Sequence, residues 1–160
     1  DEMSVAPITQ DPVSLAANAA LQILDEEDRE QIDYVMFGTE TGIDHSKSAG
    51  VYVHQLLGLH PHARSIEMKQ ACYGATAALQ LAKGHIALNP ESKVLVLGSD
   101  IARYGLNTPG EVTQGAGAVA LVVSANPKIM ALEDHSAFIS GVQRIRMLLL
   151  LMASFLMNNI

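Results

Sequence analysis

The sequence predicts an α/β layered fold, in which helices pack against a sheet. Two short apolar segments, residues 32–37 and 93–97, are rich in the aliphatic residues typical of buried strands. Alanine-rich segments with helix start and stop signals lie between and around them. Hydrophobic residues make up 49% of the 160 residues, which is enough for the core of one domain. Strands that alternate with helices in this way indicate an α/β layered architecture.

The first helix is predicted over residues 13–24. Asp11 is a candidate N-cap, and Pro12 would occupy the first helical position, where its missing N–H costs nothing. The charged run that follows, residues 25–30, is interpreted as a solvated helix end or loop. A partner-binding acidic patch is the alternative interpretation of that run.

A second helix is predicted over residues 44–57, after the strand at 32–37. Gly58 is a natural C-cap because glycine accepts the left-handed conformation that ends many helices. A short strand is expected at residues 63–68. The expected apolar anchors of the helix over residues 44–57 are Val51, Leu56 and Leu57.

A third helix is expected to begin near the single cysteine and to end at Asn89, since Pro90 disfavours a helical residue before it. The remaining sequence alternates between apolar runs and a loop rich in Gly, Pro, Asn and Thr. The helix is predicted over residues 71–88. A strand at 93–97 and a turn at 98–100 follow it. After a loop at 105–115, two further strands are predicted at 116–124 and 128–132.

Glu40 stands between two glycines directly after the first predicted strand. In α/β sheets, functional groups collect at the carboxyl ends of the strands. Glu40 is therefore a candidate acid or base. A turn glutamate that faces solvent is the alternative.

Cys72 is the only cysteine of the chain, and it lies at the predicted start of the third helix. The free N–H groups and partial positive charge of a helix start favour a thiolate, which is the nucleophilic form. The same N–H groups can stabilise an oxyanion on an attacked acyl group. Gly74, Ala75 and Ala77 are expected to leave space for a substrate near the sulfur. A buried structural cysteine is the alternative.

Composition excludes several classes of protein. The formal net charge is −7 and there is no basic run, so nucleic-acid binding is not expected. One cysteine forms no internal disulfide. His60 and His62 flank a proline but lack a nearby third ligand, so we expect a surface loop and no metal site.

No secretory signal is recognised, and the apolar run at 147–157 is shorter than the ~20 residues of a membrane helix. A soluble cytoplasmic protein without membrane association is expected.

Four segments resemble the hydroxymethylglutaryl-CoA (HMG-CoA) synthase family, especially its bacterial branch. They are residues 38–44, with Gly-Thr-Glu-Thr-Gly-Ile-Asp, and residues 67–76, 94–105 and 110–120. The resemblance covers roughly residues 1–134, in order and without large gaps. It implies a thiolase-like α/β fold with a mixed sheet and flanking helices, present here as roughly the N-terminal half without its first strand.

The resemblance also implies an acyltransferase of the mevalonate route to isoprenoids, which condenses acetyl-CoA, acetoacetyl-CoA and water to HMG-CoA. By resemblance, Cys72 is the nucleophile that becomes acetylated, and Glu40 is the general acid/base that removes a proton from the acetyl methyl group. Tyr73, Asp100 and Thr113 match positions that line or support the acyl site. Coenzyme A thioesters are the substrates, no metal or redox cofactor is implied, and full-length relatives are homodimers.

The family pattern stops after residue 134. Residues 1–134 are therefore assigned to an HMG-CoA synthase N-terminal-type domain, and residues 135–160 to a divergent apolar tail. We expect the tail to be out of frame or otherwise unrelated to the family; a divergent helix packed on the core is the alternative. The family's catalytic histidine is expected outside this sequence. Two other functions stay open: a non-catalytic remnant that binds acyl-CoA or a partner chain, and a ketoacyl synthase.

Overall fold

The computed structural model describes residues 3–139, so most of the predicted tail at 135–160 lies outside the described residues. The described chain forms helices on both faces of a sheet. The helices are α1 (Pro12–Leu21), α2 (Glu26–Gln31), α3 (Ala49–Leu57) and α4 (Gly74–Leu88). The strands are β1 (Ile32–Gly38), β2 (Arg64–Met68), β3 (Lys93–Ala102) and β4 (Gly115–Val123).

The four strands form one mixed sheet in the order β2-β1-β3-β4. The central strand β1 runs parallel to both β2 and β3, whereas β4 is antiparallel to β3. Gly38, at the end of β1, is aligned with Met68 of β2 and with Gly98 of β3. The predicted α/β layered fold with a mixed sheet and flanking helices is confirmed.

Alternate residues of the central strands supply two separate cores, because successive side chains of a strand point to opposite faces. Phe37 and Leu95 are fully buried on the face covered by α1 and α3. Met36 and Val96 are buried on the face covered by α4. A near-continuous apolar run such as that of β1 is typical of a strand buried on both faces.

The predicted helix caps are confirmed. Asp11 accepts a hydrogen bond from the Ser14 N–H at 2.7 Å, and the Ser14 hydroxyl oxygen accepts one from the Asp11 N–H at 2.9 Å, which completes a capping box. Gly58 ends α3 with φ +60° and ψ +41°, the left-handed conformation that glycine adopts without steric cost. Helix α1 ends at Leu21, however, three residues earlier than predicted.

The predicted anchors of α3 are partly wrong. Leu57 is buried, but Val51 and Leu56 are exposed. Helix α3 begins at Ala49 instead of residue 44, and this shorter helix buries Ala49 and Val53 together with Leu57.

The charged run at 25–30 forms most of α2, with Asp25 as its N-cap. The solvated interpretation is wrong for Asp28, which is 8% exposed and contacts the Lys93 amine at 2.6 Å. The Asp28 carboxylate raises the pKa of Lys93, mainly by accepting a hydrogen bond from its ammonium group. The Asp28 carboxylate can be buried because it is paired with the half-buried Lys93 ammonium group.

Two strand predictions need correction. Residues 98–100 are not a turn, because Gly98, Ser99 and Asp100 continue β3 and pair with β4. Backbone hydrogen bonds to β4 allow β3 to continue beyond the point where β1 ends. Residues 128–132 do not form the predicted strand.

The chain divides into two compact units. The first contains all four strands and all four α-helices, within residues up to 102 and 115–131. The described part of the second contains residues 103–114 and 132–139, including a 3₁₀ helix at Glu111–Thr113. Within residues 3–139, none of the helices has the length and apolar character needed to cross a bilayer. The predicted domain boundary at residue 134 stays a prediction.

Candidate active site

The loop that carries Glu40 leaves β1 at the carboxyl end of the sheet. Its first residue, Thr39, is 2% exposed, and its N–H donates to the Met68 carbonyl of β2 at 3.2 Å. The loop therefore begins in a buried, hydrogen-bonded position between two strands. This anchoring places Glu40 at the edge where parallel strands expose functional groups.

One carboxylate oxygen of Asp100 holds this loop to β3. Asp100 Oδ1 accepts from the Thr39 hydroxyl at 2.8 Å and from the Glu40 N–H at 2.7 Å. It also accepts from the N–H and the hydroxyl of Thr41, at 3.0 and 2.9 Å. Hydrogen bonds to an ionised acceptor are stronger than neutral ones. Asp100 thus supports the loop on which Glu40 stands, and its predicted place beside an acyl group stays a prediction.

Cys72 lies in the connection between β2 and α4. The preceding residue, Ala71, has φ +41°, in the left-handed region that an L residue other than glycine seldom adopts. Helix α4 begins at Gly74, two residues after Cys72, so the cysteine precedes the first helical turn instead of opening it. Cys72 is exposed, and the interpretation of a buried structural cysteine is therefore wrong.

Close backbone contacts join the end of β1 to the start of α4. A Cβ atom at Gly38 would lie 2.3 Å from the Ala75 nitrogen, and one at Gly74 would lie 2.8 Å from the Met68 carbonyl oxygen. The prediction that Gly74 leaves room for a substrate is wrong, since that space is taken by backbone. The missing side chains instead let the loop after β1 approach the segment that carries Cys72.

The two candidate groups meet at this junction. The Cys72 thiol donates to the Glu40 carboxylate, with Sγ 3.7 Å from Oε1. Glu40 is half-buried, so the alternative of a glutamate that faces only solvent is not observed. A thiol nucleophile beside a carboxylate is an arrangement that can exchange a proton during attack on an acyl group.

The pKa of the Cys72 thiol is raised from its ordinary value of 9.0. Partial burial is the largest cause, followed by the negative charge of Glu40 and the hydrogen bond to it, while the charge of Asp100 adds a smaller increase. The backbone N–H of Cys72 opposes the shift. The expectation that the helix start favours a thiolate is therefore wrong for this structure, in which the protonated thiol donates to Glu40.

The other predicted site residues have different positions. Tyr73, next to Cys72 in the chain, is the N-cap residue of α4 and is 43% exposed. Thr113 belongs to the second unit, where its hydroxyl donates to the Gly110 carbonyl at 2.8 Å. Roles for Tyr73 and Thr113 in acyl binding stay predictions.

Within the described residues, His60 and His62 do not have the geometry of a metal site. The ring of His60 lies 5.2 Å from that of His62, and the His60 carbonyl contacts the His54 ring at 2.9 Å. Residues 3–139 contain no group of three His, Cys, Asp or Glu side chains placed to hold a metal ion.

Sequence reasoning missed the two threonines that flank Glu40. Thr39 and Thr41 supply three of the hydrogen bonds on Asp100 Oδ1. The repeated threonine in Thr-Glu-Thr is a local signal, because hydroxyls in a loop often bond nearby backbone or carboxylate groups. Their acceptor comes from β3, about sixty residues away in sequence, and only the sheet register identifies it.

Comparison with known proteins assigns the family. Residues 3–127 match the family model described as chalcone and stilbene synthases, N-terminal domain. The HMG-CoA synthase of Enterococcus faecalis is 58% identical over 140 residues, which cover 88% of this chain and 37% of that protein. The polyketide biosynthesis 3-hydroxy-3-methylglutaryl-ACP synthase PksG of Bacillus subtilis is 37% identical, over 82% of this chain and 35% of its own length.

Solved structures agree with these relatives. An HMG-CoA synthase complexed with CoA superposes with a TM-score of 0.75 at 58% identity, over 78% of this chain and 32% of that one. MvaS in complex with 3-hydroxy-3-methylglutaryl coenzyme A gives a TM-score of 0.68 at 46% identity, over 77% of this chain and 30% of that one.

The chain spans about a third of the length of the curated relatives that it matches. The matched segment includes the strand that ends at Gly38, the Glu40 loop and the Cys72 connection. The chain therefore belongs to the family of the chalcone and stilbene synthase N-terminal domain, and its resemblance to HMG-CoA synthase is confirmed.

Proposed function

We propose that this chain carries the nucleophile and the acid/base group of an HMG-CoA synthase. The reaction condenses acetyl-CoA with acetoacetyl-CoA and water to give HMG-CoA and free coenzyme A. The observation that carries the proposal is the 3.7 Å contact between Cys72 Sγ and Glu40 Oε1. Similarity to HMG-CoA synthases, which the chain matches over about a third of their length, supports the substrate class.

The first step transfers an acetyl group from sulfur to sulfur. Cys72 attacks the thioester carbonyl of acetyl-CoA, the bond to the coenzyme A sulfur breaks, and acetyl-cysteine forms. The thiol proton leaves through the Glu40 carboxylate and ends on the departing coenzyme A thiol. A protonated resting thiol suits this route, because the raised pKa keeps the proton on sulfur until attack begins.

The second step forms the carbon–carbon bond. Glu40 takes a proton from the methyl group of acetyl-Cys72, and the enolate attacks the ketone carbon of acetoacetyl-CoA. The proton that Glu40 removed passes to the resulting alkoxide, and water then cleaves the thioester to Cys72, which releases HMG-CoA and restores the thiol. Glu40 is close enough to Cys72 to reach a small group on its sulfur.

The predictions about further acyl-site residues, oligomeric state, location in the cell and acyl carrier rest on the resemblance to HMG-CoA synthase. Tyr73, Asp100 and Thr113 would line or support the acyl site, and the working protein would be a cytoplasmic homodimer. Coenzyme A is favoured as the carrier of the acyl group, although one relative is named a 3-hydroxy-3-methylglutaryl-ACP synthase.

Acetylation of Cys72 is the direct test. The purified chain is incubated with acetyl-CoA and analysed by intact-mass and peptide mass spectrometry, with Cys72→Ala as the control and circular dichroism as the test of folding. An acetyl adduct that Cys72→Ala abolishes supports the proposal. A folded chain without any adduct favours the non-catalytic remnant.

A further inference from the structure

The Glu40 carboxylate depends on its loop for its position. Within residues 3–139, the hydrogen bond found on this carboxylate is the one that the Cys72 thiol donates. A glutamate side chain has several rotatable bonds, so one long contact to sulfur holds it weakly. Its distance from Cys72 is therefore set largely by how firmly the backbone of residues 39–41 is held.

Thr41 makes more contacts to β3 than Glu40 does. Its N–H and its hydroxyl both donate to Asp100 Oδ1, at 3.0 and 2.9 Å. The same hydroxyl oxygen accepts from the Ile101 N–H at 3.1 Å. With one donor bond and one acceptor bond, the hydroxyl of Thr41 has a fixed orientation and joins the loop to two successive residues of β3.

We propose that Thr41 is a positioning residue, whose hydroxyl holds the Glu40 carboxylate against the Cys72 thiol. Its catalytic consequence rests on the proposed function. Loss of the hydroxyl removes one bond on Asp100 and leaves the Ile101 N–H without this acceptor. The 3.7 Å contact between sulfur and carboxylate is already long, so a small displacement of the loop breaks it.

Thr39 is less suited to a positioning role that can be separated from a role in the stability of the fold. It is 2% exposed, its hydroxyl accepts from the Thr41 N–H at 3.0 Å, and its own N–H donates to Met68. Removal of that hydroxyl leaves buried polar groups unpaired, which costs stability of the fold. Thr41 is half-buried, so a change there affects the loop with less disturbance of the core.

The pKa of the Cys72 thiol depends on the position of Glu40, so a displacement of Glu40 can be detected through it. Two carboxylates, Glu40 and Asp100, act on Cys72, and the contribution of Glu40 to the raised thiol pKa is the larger. A displaced Glu40 no longer contributes its hydrogen bond and most of its charge. The thiol pKa then falls, and more thiolate is present at neutral pH. Weaker positioning therefore increases alkylation of Cys72 while it decreases acyl transfer.

The test compares Thr41→Val with Thr41→Ser, which keeps the hydroxyl, and with the exposed control Thr9→Val. Iodoacetamide alkylation of Cys72 is followed by intact mass between about pH 6 and 10, a range that spans the ordinary cysteine pKa. Because Cys72 is the only cysteine, the signal has no background from other thiols. Thr41→Val should move the midpoint to lower pH, with several-fold faster alkylation near pH 7.5 and several-fold less acetyl adduct. The other two variants should match the wild type.

A double variant tests whether Thr41 acts through Glu40. Thr41→Val should cause no further shift of the midpoint when Glu40 is already changed to Gln, because the carboxylate that it positions is gone. Urea unfolding monitored by circular dichroism establishes that each variant is folded during alkylation. Thr41→Ala repeats the experiment without the second methyl group of valine.

Three results overturn the proposal. They are a folded Thr41→Val with the wild-type midpoint, a Thr41→Ser that behaves like valine, and unfolding of both the valine and the alanine variants, which would assign Thr41 a structural role. Failure of the proposed function is visible separately. If Glu40→Gln leaves acetylation of Cys72 unchanged, the assigned chemistry is wrong, while the pH profile still reports whether Thr41 positions Glu40.

Discussion

Substitution of Gly38 by alanine tests the junction that brings the two candidate groups together. The added Cβ would lie 2.3 Å from the Ala75 nitrogen, 2.6 Å from the Ala75 Cα and 2.6 Å from the Gly74 carbonyl carbon. These atoms are all backbone, so no side-chain rotation relieves the clash. The end of β1 and the start of α4 must separate by about 1 Å to reach ordinary van der Waals contact.

Such overpacking costs about 2–3 kcal/mol in the free energy of unfolding. For a chain of this size the melting temperature should fall by roughly 4–12 °C. The same separation carries Cys72 away from Glu40, whose 3.7 Å contact is too long to survive it. Acetyl-Cys72 formation should therefore fall more than stability alone explains, when activity is measured at a temperature where the variant is fully folded.

Gly84→Ala is the matched control, since it makes the same substitution within α4. Among the described residues, no atom outside the helix lies within 4 Å of a Cβ built at Gly84. Alanine in the middle of a helix should raise stability by about 0.5–1 kcal/mol. Thermal unfolding by circular dichroism compares the two variants. A Gly38→Ala variant as stable and as readily acetylated as the wild type would refute the assigned role of the contact.

Three further substitutions have defined outcomes. Glu40→Gln removes the negative charge beside Cys72, so the pH midpoint of iodoacetamide alkylation should fall and acetyl adduct formation should be lost. Asp28→Ala leaves the mostly buried Lys93 ammonium unpaired and should lower the urea unfolding free energy by about 3 kcal/mol. That difference should persist below the ordinary lysine pKa and shrink as pH rises through the raised pKa of Lys93. Gly58→Ala forces a left-handed φ of +60° on alanine and should cost about 1 kcal/mol in thermal unfolding.

The helix caps at Asp11 and Gly58 were predictable because their causes are local. The capping bond of Asp11 joins residues three apart, and the left-handed turn at Gly58 depends on one residue. The apolar run of β1 likewise matches its burial on both faces. Elements whose limits depend on distant partners were not predictable. The extension of β3 beyond Gly98 requires pairing with β4, and the burial of Asp28 requires Lys93, sixty-five residues away.

Local sequence was enough to identify the two groups that can perform chemistry, Glu40 after a buried strand and the single Cys72 near the start of a helix. Their contact depends on the folded chain, because parallel pairing of β1 and β2 aligns the strand ends and glycine at 38 permits a close backbone approach. The folded chain also raises the pKa of the Cys72 thiol. Partial burial and the nearby charges of Glu40 and Asp100 act through space, so the sequence around Cys72 favoured a lowered thiol pKa whereas the folded chain raises it.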